Sequence, residues 1–279
     1  MERTDASIRN LILDMDGVLW HGETPVPGLR QFFGQLRRSG FGFILATNNA
    51  RNVAAQYSDK LNGFGVSVPP EQILTSAETT ALYLSAAYPR GATVYVVGDT
   101  GLRLAITAHG FKLLPDEGFV GANARADVVV AGFTPHFCYE QLASATYLIN
   151  QGAQFVGTNP DITFPTEYGP LPGAGSMLSF LETATGVPPL VLGKPGKPIF
   201  EEALRLLSGT TKDTVMVGDR LGTDIAGGHA AGMRTILLLS GISRLEDVDS
   251  SQVKPDWILN DLQALTEFIR KQDGQNSST

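Results

Sequence analysis

A repeating rhythm constrains this chain more than any other feature. Short runs, β-branched or apolar throughout, recur along it, mostly ending in Gly, Asp or Asn, with longer stretches of helical spacing between them. The runs are Leu11–Leu13, Phe43–Ala46, Val94–Val97, Val128–Ala131, Phe155–Gly157, Val215–Val217 and Thr235–Leu239. They do not alternate apolar with polar residues, so they predict strands buried on both faces, as parallel sheets require. Between them, Gly28–Ser39, Val53–Gly63, Tyr139–Gln151, Lys197–Leu207 and Gly222–Ala231 carry helical periodicity. Strands separated by helices imply βαβ units. The expected fold class is α/β, with a doubly wound, parallel, Rossmann-like core sheet.

These strands exceed what one compact sheet needs, so a second domain is expected. Residues 79–189 have their own strand–helix–strand rhythm, and we read them as an inserted α/β domain that splits the core into 1–78 and 190–279. The Gly- and Pro-rich segments Glu167–Gly175 and Gly186–Pro189 mark the far side of the insertion. The polar tail Gln272–Thr279 is expected to fray.

Composition narrows the function classes. Of 279 residues, 43% are hydrophobic, which excludes disorder as the main state. The formal charge of -7 and the lack of a basic stripe argue against a nucleic acid polymer or an anionic membrane surface as partner. A small phosphorylated ligand needs only a few local donors and stays open. Cys138 is the single cysteine, so no intramolecular disulfide or thiolate metal cluster can form. The opening MERTDASIRN holds no apolar signal core, and no apolar run approaches a membrane span. A cytoplasmic location is the resulting expectation.

Four short motifs could carry chemistry. Asp14-Met15-Asp16-Gly17 follows the apolar run Leu11–Leu13. Ligands of open parallel sheets bind beyond the carboxyl ends of strands. Two carboxylates there are costly to desolvate unless a cation neutralises them; the plainer alternative is a solvated Asp/Gly turn. Val217-Gly218-Asp219 repeats the arrangement, with Asp224 five residues on. Asp219 is a candidate cation ligand and Asp224 a candidate holder of the cation's waters, although an acid near a helix start can simply favour the helix dipole. Ala46-Thr47-Asn48-Asn49 runs from a strand into a hydroxyl and two amides. The Thr47 Oγ and the Asn48 backbone N–H suit phosphate oxygens, and the same residue types serve as helix caps. Gly193-Lys194-Pro195 offers a lysine ahead of a helix, with Lys197 its equal on charge alone. Val97-Gly98-Asp99 lacks an acid five residues on, Phe155–Asn159 runs into Pro160, and Gly173-Ala174-Gly175 lacks the third glycine of a dinucleotide loop.

The order of the four motifs is Asp-x-Asp, Thr, Lys, then Gly-Asp with a second Asp five on. In that order the chain resembles the haloacid dehalogenase (HAD) superfamily of phosphohydrolases, over about Asn10 to Arg270. Gly157-Thr158-Asn159-Pro160-Asp161 and Pro172-Gly173-Ala174-Gly175-Ser176 in the insertion resemble subfamily IIA, with its large α/β (C2) cap. That group includes 4-nitrophenylphosphatase-like, phosphoglycolate, pyridoxal phosphate and NagD-type enzymes. The resemblance implies a phosphatase for small phosphorylated metabolites, with Asp14 as nucleophile and Asp16 as acid/base. It further implies Mg²⁺ held by Asp14, the Asp16 carbonyl and Asp219, with Asp224 fixing metal waters, and Thr47, Asn48, Asn49 and Lys194 on the substrate. A homodimer through the cap is also implied. Phe164 stands where pyridoxal phosphatases of this group carry a ring-contacting His, which disfavours that substrate. A phosphotransferase or mutase, or a non-catalytic phosphometabolite-binding protein, are the alternatives on the same fold.

Overall fold

The computed structural model describes residues 7–166 and 168–276. In chain order the elements are β1 (Asn10–Leu13), β2 (Trp20–His21), β3 (Thr24–Pro25), α1 (Leu29–Arg38), β4 (Gly42–Thr47), α2 (Ala54–Gly63) and β5 (Ile73–Thr75). Then come α3 (Ser76–Ala87), β6 (Thr93–Val97), α4 (Thr100–Ala108), β7 (Lys112–Leu113), β8 (Val128–Ala131), α5 (Tyr139–Asn150) and β9 (Gln154–Gly157). They are followed by β10 (Thr163–Thr166), β11 (Gly169–Pro172), α6 (Ala174–Thr185), β12 (Leu190–Val191), α7 (Lys197–Leu207), β13 (Thr214–Gly218) and α8 (Ala226–Ala230). The chain closes with β14 (Arg234–Leu238), α9 (Leu245–Ser250), β15 (Trp257–Leu259) and α10 (Leu262–Asn276).

The chain forms two compact units: 1–47 with 54–74 and 199–279, and 48–53 with 75–198. In the first, six strands lie in the order β15-β14-β13-β1-β4-β5. The chain leaves β1 for β4 and β5 on one side, and later returns to β13, β14 and β15 on the other. β1 pairs in parallel with both β4 and β13, so the sheet is doubly wound with its switch point at β1. One face of the sheet buries Leu11, Leu13, Phe43, Leu45, Val215 and Val217 against Phe32, Phe33 and Leu36 of α1 and Leu265 and Ile269 of α10. Ile12, Ile44 and Met216, which alternate with them along the strands, are also buried. That two-sided burial is why the strands read as unbroken apolar runs.

The second unit holds the sheet β12-β9-β8-β6-β7, parallel throughout. Val94, Val96, Val128, Val130 and Val156 pack on α3 and α4 through Ala77, Ala81, Leu84, Leu102 and Ile106. Tyr95, Val97, Val129 and Phe155 pack on α5 and α6 through Leu142, Leu148, Leu178 and Leu181. It is an α/β/α sandwich, and α3 begins where the Thr75 side chain accepts the Glu78 N–H at 3.1 Å. β12 belongs to this sheet, so the second unit runs past the Gly186–Pro189 segment to Pro198. Within Glu167–Gly175, Glu167 lies outside the described residues, while Gly169–Pro172 forms a hairpin strand with Thr163–Thr166.

Two expectations are corrected. Gln272–Asn276, part of the tail expected to fray, is helical and continues α10, whereas Ser277–Thr279 lie outside the described residues. The stretch expected as one helix over 222–231 is a π turn, Leu221–Ile225, leading into the short α8. No helix among the described residues is long and apolar enough to cross a membrane.

Candidate active site

Three carboxylates converge at the carboxyl ends of β1 and β13. Leu13 pairs with Val217, so the next residues bring Asp14 and Asp219 to one edge of the sheet at its switch point. Asp224 comes back toward them from the π turn. A carboxylate oxygen of each lies within 4.8 Å of one from each of the others. Asp219 and Asp224 are wholly buried and Asp14 is 7% exposed. Glycine makes this packing possible: a Cβ on Gly241 would overlap the Asp219 carboxylate, and one on Gly218 would overlap that of Asp224.

The loops after β13 and β14 hold the acids in place. The Ile242 N–H donates to Asp219 Oδ2 at 2.8 Å, the Ser243 N–H to the Asp219 carbonyl at 3.0 Å, and the Arg220 N–H to Asp224 Oδ2 at 3.1 Å. The Ser243 hydroxyl accepts the Leu221 N–H at 3.1 Å, tying the two loops together. Burial and the nearby charges of Asp14 and Asp224 push the Asp219 carboxyl up to about 8, against an ordinary 3.8, despite the Ile242 bond. Asp219 Oδ1 is buried and has no hydrogen-bond partner among the described residues. An all-oxygen donor set, two of its members completely buried, with one buried oxygen that has no hydrogen-bond partner among the described residues, fits a hard divalent cation.

Asp16 lies two residues beyond Asp14, and its side chain is exposed. Its carboxylate is outside the three-acid cluster and accepts the Trp20 indole N–H at 2.8 Å. Thr47 is buried at the end of β4, beside β1.

The remaining sequence candidates lie in the second unit. Asn48 pairs with Lys194 much as a strand would. Its Oδ1 accepts the Lys194 N–H at 2.7 Å and its Nδ2 donates to the Lys194 carbonyl at 2.8 Å. Lys194 is 2% exposed, while Lys197 is exposed, which separates two lysines that charge alone left equal. Asn49 accepts the Arg51 N–H at 2.9 Å and so shapes its own turn. Sequence reasoning missed two members of this cluster. Asp161 Oδ2 accepts from Asn48 Nδ2 at 3.1 Å, and Asn159 Nδ2 donates to the Asn48 carbonyl at 2.7 Å. Both stand in the Gly157-Thr158-Asn159-Pro160-Asp161 motif, which the sequence reading used for the subfamily and not for the site. Asp99, read as lacking a partner acid, caps α4 and pairs with Arg51 at 2.9 Å.

A doubly wound sheet with three carboxylates at its switch point places a candidate cation site where open parallel sheets bind their ligands. The profile of the family described as haloacid dehalogenase-like hydrolase matches residues 11–112, and a HAD-hydrolase-like profile matches 191–265. An acid sugar phosphatase of Staphylococcus aureus is 38% identical over 251 residues, 90% of this chain and 94% of that protein. A 4-nitrophenylphosphatase structure from Thermotoga maritima superposes with a TM-score of 0.86 at 33% identity, covering 94% of this chain and 97% of that one. A glycerol phosphate phosphatase from Mycobacterium tuberculosis, solved in complex with magnesium, superposes with a TM-score of 0.85 at 33% identity, covering 94% and 78%. The chain belongs to the haloacid dehalogenase-like hydrolases. Within them it falls in subfamily IIA, with the large α/β cap, and it is a phosphoric monoester hydrolase.

Proposed function

We propose that this enzyme hydrolyses small phosphate monoesters, sugar phosphates foremost among them, through an aspartyl-phosphate and with Mg²⁺. The observation that carries the reading is the convergence of Asp14, Asp219 and Asp224, with the buried Asp219 Oδ1 lacking a hydrogen-bond partner among the described residues. The names of the Staphylococcus aureus and Thermotoga maritima relatives support the substrate class.

Asp14, Asp219 and the Asp16 carbonyl would hold the cation, with Asp224 fixing its waters. When bound, Mg²⁺ supplies the positive charge that lets an anionic nucleophile meet an anionic ester. An Asp14 carboxylate oxygen attacks phosphorus in line, and the ester P–O bond breaks. Asp16 gives its proton to the leaving alkoxide. Water then attacks the aspartyl-phosphate, Asp16 takes the water's proton, and inorganic phosphate leaves with Asp14 restored as carboxylate. Thr47, Asn48, Asn49 and Lys194 are assigned to the substrate, Thr47 and Lys194 to the transferring oxygens. Residues 79–189 are assigned as the specificity domain and the rest as the catalytic core. The single cysteine supports a cytoplasmic enzyme.

Phosphate release from a panel of sugar phosphates, nucleotides and phosphoglycolate tests this, with Mg²⁺ and with excess chelator. Activity is expected only with the metal, and Asp14→Asn is expected to lower kcat by about 10³-fold or more with the fold intact. Full activity in chelator, or an Asp14→Asn enzyme retaining a tenth of kcat, would overturn the reading.

A further inference from the structure

The acid/base group, Asp16, is exposed, which is an awkward place for a residue that must present one oxygen in one direction. An exposed carboxylate at a turn ordinarily samples several rotamers. Here the sequence folds back on it. The Val18 and Leu19 N–H groups both donate to the Met15 carbonyl, at 3.2 and 2.8 Å, and the Gly17 N–H donates to the Trp20 carbonyl at 2.8 Å. Gly17 enables this turn with a φ of 85°, which side-chain-bearing residues rarely adopt. The result is a single bridge between Asp16 and Trp20 and a bond from Trp20 Nε1 to Asp16 Oδ1 of 2.8 Å.

The donor is far more rigid than the acceptor. Trp20 is wholly buried. Its ring stacks on Tyr57 with centroids 6.3 Å apart and planes at 15°, and meets Phe64 at 6.1 Å. Lys60 Nζ sits 4.9 Å from the ring centroid, a cation–π contact. The same ammonium donates to the Gly22 carbonyl at 2.7 Å and pairs with Glu23 at 3.0 Å, so it also pins the tip of the β2–β3 hairpin to α2. A buried indole needs a partner for its N–H, and the partner chosen is the acid/base carboxylate.

We propose that Trp20 is the positioning residue for Asp16. It fixes Oδ1 by an N–H anchored in the core, so that the carboxylate turns its other oxygen to the leaving group and then to water. The inference rests on the assignment of Asp16 as acid/base. It explains why a tryptophan, and not merely any large apolar residue, occupies this position: the indole combines a core-filling body with a donor at its rim.

The test is a double-mutant cycle between positions 20 and 16, read by kcat and KM with Mg²⁺ saturating. Trp20→Phe is expected to lower kcat about tenfold or more while KM stays within about twofold, because a displaced proton donor harms the transition state and not binding. In an Asp16→Ala background, Trp20→Phe is expected to cost less than about twofold. An equal loss in both backgrounds would show that Trp20 acts only through general packing, and the proposal would fall. If Asp16→Ala alone kept wild-type turnover, the assignment of Asp16 would fail instead, a distinct outcome. Should Phe at position 20 prevent folding, 3-benzothienylalanine introduced there keeps the bicyclic shape without the N–H and is read against the same two outcomes.

Discussion

Replacing Asp219 with asparagine should make the metal-free enzyme more stable while removing its response to metal. Asp219 sits among two other acids with its carboxyl pushed up to about 8, against 3.8 ordinarily. At pH 7 the unfolded chain ionises this group and the folded chain resists doing so. At about 1.4 kcal/mol per unit, the roughly three units between its ordinary value and pH 7 amount to about 4 kcal/mol of destabilisation. Asparagine carries no charge to bury. It can still accept the Ile242 N–H and offers an NH₂ group to the neighbouring carboxylates. Realising only half the penalty, about 2 kcal/mol, would raise the melting temperature by roughly 4–8 °C in a chain of this size. The sign with pH follows from proton counting. Between about 4 and 8 the folded wild type holds more protons than the unfolded chain, so its stability falls as pH rises through that window. The variant lacks that fall. Thermal melts of both proteins in chelator and in millimolar Mg²⁺, at pH 5 and pH 7, measure this. Wild type should gain about 2.7 kcal/mol from Mg²⁺ at a hundredfold over its Kd, and the variant much less. A variant that melts at or below wild type in chelator at pH 7, or that gains equally from Mg²⁺, would refute the reasoning.

The two lysines should separate sharply: Lys194→Ala is expected to reduce kcat/KM about 100-fold or more and Lys197→Ala less than twofold, read by steady-state phosphate release. Phe164 meets Phe133 edge-on at 4.5 Å and Tyr168 is 83% exposed. Phe164→Leu and Tyr168→Ala should therefore change kcat/KM ratios among sugar phosphates by about tenfold and turnover of 4-nitrophenyl phosphate by less than about threefold; an unchanged preference order would place specificity elsewhere. Burial alone would raise the Asp213 carboxyl, but donors from Thr210, Thr214 and Asn10 hold it below its ordinary range. Its stabilisation is present at neutral pH and lost as pH falls through that depressed value. Asp213→Asn should melt lower than wild type at pH 7, with the gap closing in acid.

What was legible in the amino-acid order was whatever short-range chemistry decides. Strands buried on both faces must be apolar at every position, so Leu11–Leu13 and Val215–Val217 announce β1 and β13 without reference to anything distant. Acids directly after such runs must lie at strand ends, which is how Asp14 and Asp219 were found. Composition and spacing say nothing, however, about partners separated by a hundred residues. Asn48 meets Asp161 across 113 positions and Lys194 across 146, and only the packed second unit brings those groups together. Burial, which is a property of the whole fold, distinguished Lys194 from Lys197. The π turn at Leu221–Ile225 has no periodic signature in five residues, yet it lets Asp224 lie beside Asp219. Trp20 reads in the sequence as one more apolar residue, and only a core closed by Tyr57, Phe64 and Lys60 turns its N–H toward Asp16. The linear order determined which groups are available at the strand ends; the tertiary structure decided their neighbours, because hydrogen bonds and desolvation act through space over a few ångströms and not along the chain.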